Sequence, residues 1–161
     1  MIKIDNTFTE TIVKQAIDSP RGRKNYNYHQ SYNEVLNRML NALQMDTFVQ
    51  PHKHEDPDKH EVFLILAGKA AVIEFDDSGN ITDWYILEAG TGKYGVEIAP
   101  KIWHTIIPLA DGTVVYEVKE GPYSPLNDKN FATWAPREGD ESCKVFNQNL
   151  LKNIGYLPSD K

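Results

Sequence analysis

The stretch Pro51-His52-Lys53-His54-Glu55-Asp56-Pro57-Asp58-Lys59-His60-Glu61-Val62-Phe63-Leu64-Ile65-Leu66-Ala67-Gly68 decides the fold. Residues two apart on a strand point to one face, so His52 and His54 present both imidazoles to the same side. Pro51 cannot donate to a central ladder, which places the pair at a strand edge or end. Val62–Ala67 is the longest apolar run of the chain, too short to span a membrane and long enough for a buried strand. Glu61 opens that run and Gly68 closes it.

Working outward, Met45–His54, His60–Phe75, Thr82–Leu87, Gly95–Ile98, Trp103–Leu109 and Thr113–Lys119 are rich in β-branched and aromatic residues and read as strands. Asp76–Asn80 and Ala110–Gly112 have the composition of tight turns. Short strands with regular turn signals predict an antiparallel sandwich or barrel over residues 45–139. Upstream, residues 1–44 read as a helical extension packed on the barrel. Thr7 and Glu10 have capping-box spacing before Phe8, Ile12, Val13, Ala16 and Ile17, and Pro20 stops that helix. Ser31 and Glu34 repeat the spacing before Tyr32, Val35, Leu36, Met39, Leu40 and Leu43, which predicts a second helix. Residues 140–161 form the tail, with a helix expected over Asp140–Ile154 ending at Gly155. The whole reads as one domain, mainly β, in which 161 residues are enough to bury a sizeable core without staples.

Composition narrows the function. With 23 acidic residues against 17 basic, the net charge of −6 argues against a nucleic-acid coat or an anionic membrane surface as partner. Cys143 is the single cysteine, so no internal disulfide forms, which fits a reducing compartment. MIKIDNTFTE contains no apolar signal core, and a soluble, cytoplasmic protein is expected.

Four of the five histidines lie in the strand region, and His52, His54 and His104 come with Glu61 or His60 as a fourth candidate. Imidazoles with one carboxylate suit Zn²⁺, Fe²⁺, Mn²⁺ or Ni²⁺, and four protein ligands leave positions open on a six-coordinate ion. Alone, the His-x-His pair equally fits surface histidines on a polar strand end.

The wider pattern resembles the two cupin motifs, G-x5-H-x-H-x(3,4)-E-x6-G and G-x5-P-x-G-x2-H-x3-N, over Pro51 to Pro108. Glu61 stands seven residues before Gly68, which favours it over His60. His104 follows Gly95 and Pro100. The gap from His54 to Glu61 is longer than the motif's, the inner glycine of the second motif is missing, and Pro108 stands at its final asparagine. The later order of features, Trp103-His104-Thr105, then Glu117 to Tyr123, then Lys129-Asn130-Phe131-Ala132-Thr133-Trp134-Ala135-Pro136-Arg137-Glu138, is similar to the WbuC family of cupin-fold metalloproteins. That resemblance implies an antiparallel jelly-roll barrel holding one divalent metal, zinc or iron foremost, on His52, His54, Glu61 and His104. It also implies a sugar-related substrate in bacterial surface-polysaccharide (O-antigen-like) biosynthesis.

Glu117 and Lys119 share one face of their strand. They are catalytic candidates, with Tyr123, if that face points inward, and solvated charges if it points out. Lys119 is equally a candidate for binding substrate. Arg21, Arg23 and Lys24 read either as a solvated loop or as a clamp for an anionic ligand. Trp134, with Trp103 and Tyr123, is a candidate wall for a sugar ring, although aromatic residues of small barrels more often fill the core. An open metal supports isomerase- or epimerase-like chemistry. Iron would support a dioxygenase, and the same cavity would serve a non-enzymatic small-molecule sensor. A homodimer is expected from the terminal extensions.

Overall fold

The apolar run forms a strand in which every second side chain is buried, and that alternation sets the architecture. In the computed structural model, which describes residues 1–123 and 130–156, Glu61, Phe63 and Ile65 of strand Glu61–Ala67 (β4) point inward while Leu64 and Leu66 are exposed. At Gly68 the backbone has φ +73°, and a Cβ there would lie 2.8 Å from Thr113 Cα, so only glycine makes this crossing. The chain leaves it as Lys69–Phe75 (β5) in a second sheet.

The first sheet has the order Arg23–Asn27 (β1), Leu36–Leu43 (β2), Thr113–Glu120 (β9), β4, Gly95–Ile98 (β7). The second has the order Asn130–Phe131 (β10), His52–Lys53 (β3), Trp103–Pro108 (β8), β5, Ile81–Glu88 (β6). All pairings are antiparallel. Leu43, Phe63, Ile65 and Val115 of the first sheet meet Ala70, Val72, Leu87 and Ile106 of the second. This is the expected jelly-roll barrel of cupin type with a short N-terminal helix.

Helix Asn6–Ile17 (α1) lays Ile12 and Ala16 on Leu40, Ala42 and Val114, on the outer face of the first sheet. Its cap is Asp5, whose carboxylate accepts from the Phe8 backbone N–H, not Thr7. Helix Cys143–Asn153 (α2) falls inside the expected tail helix and carries Leu150, with Ile154 just beyond, against Ala71, Ile73 and Ile107. Residues 157–161 of the tail, and Lys129 in the quoted motif, lie outside the described residues. No helix among the described residues is long and apolar enough to cross a membrane.

The expected second helix does not exist, and the sheet begins near residue 23, not residue 45. The Ser31–Glu34 chemistry is real: Glu34 Oε1 accepts from the backbone N–H of Gln30 (2.6 Å) and Ser31 (3.4 Å). It closes a turn into β2 instead of starting a helix. Leu36–Leu43 carries apolar residues on both faces because both are largely covered. Leu40 and Ala42 meet α1 while Asn37, Met39, Asn41 and Leu43 face the interior. A strand buried on two sides loses its alternation of polarity and imitates helical spacing. The strand expected over Met45–His54 shrinks to His52–Lys53.

Candidate metal centre and its cavity

His52 and His104 face each other across β3 and β8. The Nδ1 of His52 lies 2.9 Å from the Gln50 carbonyl oxygen, and the Nδ1 of His104 lies 2.9 Å from that of Ile102. A carbonyl oxygen only accepts, so each Nδ1 donates there and each Nε2 is turned to the interior, where that of His104 donates to Glu61 or, with that proton gone, offers a lone pair to an ion. This is the orientation that metal-ligating histidines acquire from a second partner. Glu61 enters from the opposite sheet, with its Oε2 2.9 Å from His104 Nε2 and 3.3 Å from His54 Nε2.

The ligating atoms of His52, His54, Glu61 and His104 all lie within 4.8 Å of one another, and each residue is 1–2% exposed. Bonds of about 2.0–2.2 Å would put opposed ligand atoms about 4.2 Å apart, so small rotations suffice to close the group on one ion. Nitrogen and carboxylate donors of this kind fit a divalent transition metal. Burial pushes the Glu61 carboxyl up, but hydrogen bonds, from His104 first and then His54, outweigh it and hold the group well below the usual carboxylate range. Glu61 is therefore a ready anionic ligand. His60 points outward, half exposed, with Nδ1 3.0 Å from Glu120 Oε2. The buried group thus contains Glu61 and excludes His60.

Beside this group opens a cavity of about 480 Å³, within the range of small-molecule sites. The charged face of β9 points into it: Glu117 is 8% and Lys119 3% exposed. Asn41 Nδ2 donates to Glu117 Oε2 at 2.5 Å, and Lys119 Nζ lies 5.6 Å from the ring centroid of Tyr123, which also lines the cavity. Arg21, Arg23 and Lys24 line its outer part. Arg21 makes a bidentate pair with Glu138 (2.7 Å to each oxygen), and Arg23 reaches Glu138 Oε2 at 2.8 Å and the Phe48 carbonyl at 2.7 Å. The hydrogen bond to Glu138 raises the Arg21 pKa, whereas burial lowers that of Arg23. The arginines are thus placed at a ligand cavity while an internal carboxylate occupies their forks.

Trp134 does not line the cavity. Its ring packs 5.1 Å from Phe75 and 6.2 Å from Trp103, in the core beneath α2, because Gly79 leaves room for it there. Trp103 is core too, with its Nε1 donating to Asp77 at 2.8 Å. The sequence reading missed Asn37, Met39 and Asn41, which form the cavity wall on β2, together with Tyr32. The signal was present as an i, i+2 series through Asn37, Met39, Asn41 and Leu43, masked by the helical spacing of the same segment.

No curated protein matches the chain. Among solved structures, the capsular polysaccharide assembling protein CapF from Staphylococcus aureus is similar at 18% identity and TM-score 0.53, over 66% of this chain and 28% of CapF. The L-ribose isomerase of Cellulomonas parahominis is similar at 16% identity and TM-score 0.54, over 76% of this chain and 72% of the isomerase. KdgF from Halomonas sp. is similar at 13% identity and TM-score 0.50, over 66% of this chain and 84% of KdgF. The chain spans under a third of CapF, and at these identities the likeness is one of fold. Residues 4–87, just over half of the chain, match the model of a domain of unknown function, DUF6016. The chain belongs to that family.

Proposed function

We propose that this protein is a metal-dependent cupin of the WbuC type that converts a sugar-derived small molecule by isomerisation or epimerisation, in the assembly of a surface polysaccharide. The observation that carries the reading is the pair of backbone-fastened imidazoles, His52 and His104, aimed with His54 and Glu61 at one point on the wall of a polar cavity. The fold neighbours support the choice of substrate class. One is a polysaccharide assembling protein, one a sugar isomerase, and CapF is also known with the inhibitor 3-isopropenyl-tropolone.

His52, His54, Glu61 and His104 would hold the ion. When bound, a divalent metal polarises a carbonyl oxygen and makes the neighbouring C–H more acidic. The chain supplies the proton handling. Glu117, held by Asn41, would take the proton from the carbon beside the carbonyl and, in isomerisation, return it to the former carbonyl carbon while the hydroxyl proton of the first carbon passes to the former carbonyl oxygen; in epimerisation the proton returns to the same carbon. Lys119 stands on the same wall, its Nζ 5.6 Å from the ring of Tyr123. Arg21 and Arg23 orient an anionic substituent of the ligand once Glu138 yields.

The test uses metal-loaded protein with a panel of aldopentoses in D₂O, read by NMR. Deuterium at the carbon next to the carbonyl, lost in Glu117→Gln, is the expected result. Binding of a pentose without exchange favours the sensor reading, and consumption of dioxygen by the iron-loaded form favours a dioxygenase.

A further inference from the structure

Asn37 is 1% exposed and lines the cavity, yet neither its Oδ1 nor its Nδ2 has a hydrogen-bond partner among the described residues. A buried amide with both ends unpaired is costly, and native proteins rarely keep one without a reason. The surrounding backbone fixes its place. Gly121 passes so close that a Cβ on it would meet the Glu34 carbonyl and come within 3.2 Å of Asn37 Nδ2, so the strand ends clamp the amide from behind.

Its position relative to the metal group is set by register. Asn37 pairs with Lys119, and Lys119 pairs with Glu61, so the three residues form one row across β2, β9 and β4. Neighbouring strands lie about 4.8 Å apart, which puts Asn37 about 10 Å along the sheet from Glu61, so a ligand of about five or six carbons that reaches both passes across Lys119. The chemistry of the amide narrows the far end of such a ligand. Oδ1 needs a donor and Nδ2 needs an acceptor. A carboxylate or phosphate only accepts and leaves Oδ1 unpaired, whereas a hydroxyl does both.

We propose that Asn37 is the specificity-determining residue of the cavity, taking a terminal hydroxyl of an extended polyol whose other end carries the oxygens that meet His52, His54, Glu61 and His104. The proposal rests on the metal reading above and adds to it the length and the uncharged far end of the ligand.

The experiment measures binding of three probes to metal-loaded protein by calorimetry. Glycolate offers only a chelating end. Gluconate adds a carbon chain ending in a hydroxyl, and glucarate ends the same chain in a carboxylate. In the wild type, gluconate binds more tightly than glycolate. In Asn37→Leu, of nearly equal volume, gluconate weakens about tenfold, glucarate weakens less than gluconate, and glycolate changes less than about twofold. Asn37→Ser, which keeps a donor and an acceptor on a shorter arm, retains part of the gluconate preference and serves if the leucine variant folds poorly. Unchanged gluconate affinity in both variants overturns the proposal, as does equal weakening of all three probes, or gluconate binding no better than glycolate in the wild type. Failure of the metal reading looks different: glycolate then binds identically with and without metal, and the proposal falls with it.

Discussion

Replacing Glu61 by glutamine separates the metal reading from every neighbouring one. Glu61 Oε2 is within 2.9 Å of His104 Nε2 and 3.3 Å of His54 Nε2, so the carboxylate is a direct member of the group. Glutamine keeps the size but removes the charge and offers one oxygen in place of two. Changes to groups that merely orient ligands cost 10–100-fold in metal affinity, so loss of a ligand's charge should cost at least about 100-fold. That is about 2.7 kcal/mol. The same figure appears as thermal stabilisation. Metal at about 100 times its Kd stabilises the wild type by about 2.7 kcal/mol, or about 5–11 °C in Tm for a chain of this size. Glu61→Gln at the same metal concentration should show a shift near zero. His60→Ala is the control. Its ring is half exposed and bonded to the equally exposed Glu120, a pair worth at most about 1 kcal/mol. It should keep full metal content and the full metal-induced shift. Calorimetric metal titration, elemental analysis and thermal melts of the three proteins decide the matter. Retention of wild-type metal affinity by Glu61→Gln, or its loss in His60→Ala, would refute the ligand assignment.

Other outcomes rest on single contacts. Gly68→Ala forces a Cβ onto a backbone with φ +73° and to 2.8 Å from Thr113 Cα, so urea unfolding should show a loss of about 1–3 kcal/mol or more; an unchanged midpoint contradicts the crossing geometry. Glu138→Gln releases Arg21 and Arg23, so inorganic phosphate should bind detectably to the variant and not to the wild type, with stability changed by less than about 1 kcal/mol; equal phosphate binding in both removes the anion role. Burial, then the neighbouring Tyr116 and Tyr26, pushes Tyr28 up to about 12, and its buried hydroxyl has no hydrogen-bond partner among the described residues. A raised folded pKa gives stability that is present below about pH 10 and lost as pH rises through about 12. Tyr28→Phe should therefore delete the last step of the tyrosinate absorbance titration without lowering Tm at neutral pH.

How much of the fold and the site was legible in the sequence depends on which face of each strand meets solvent. The run through β4 and the His-x-His pair were readable because their periods are short and their chemistry is local. Glu61 was preferred to His60 because its distance to Gly68 fits the motif, and strand alternation turns the two side chains to opposite sides, Glu61 buried and His60 half exposed. The tail helix was readable from its spacing and from Gly155, which has φ +73° just past its end. Residues 23–43 failed because α1 covers the outer face of β2 and the cavity takes its inner face. Local signals at Ser31 and Glu34 were answered correctly in hydrogen bonds and wrongly in element type, since a capping box describes the first bonds of a turn and leaves open whether a helix or a strand comes next. Whether Glu117 and Lys119 point in or out was undecidable from alternation, because both faces of β9 are largely buried.

The two sheets divide the work of the site. His52 and His104 belong to the second sheet and are each fastened from behind by a backbone carbonyl of their own strand end. The first sheet supplies Glu61 and, in register beside it, Lys119 and Asn37, with Glu117 on the same inner face. Substitution at β2 or β9 can therefore reshape what the cavity accepts while the imidazoles keep their backbone hydrogen bonds. A barrel built this way can change what its cavity accepts without rebuilding the group of His52, His54, Glu61 and His104. The same separation predicts that Asn37 and Lys119 variants lose ligand discrimination at constant metal content, whereas His104→Ala loses metal first and ligand as a consequence. Elemental analysis run beside the binding titrations reads that order directly, and metal loss in the Asn37 or Lys119 variants would show that the two halves are not independent.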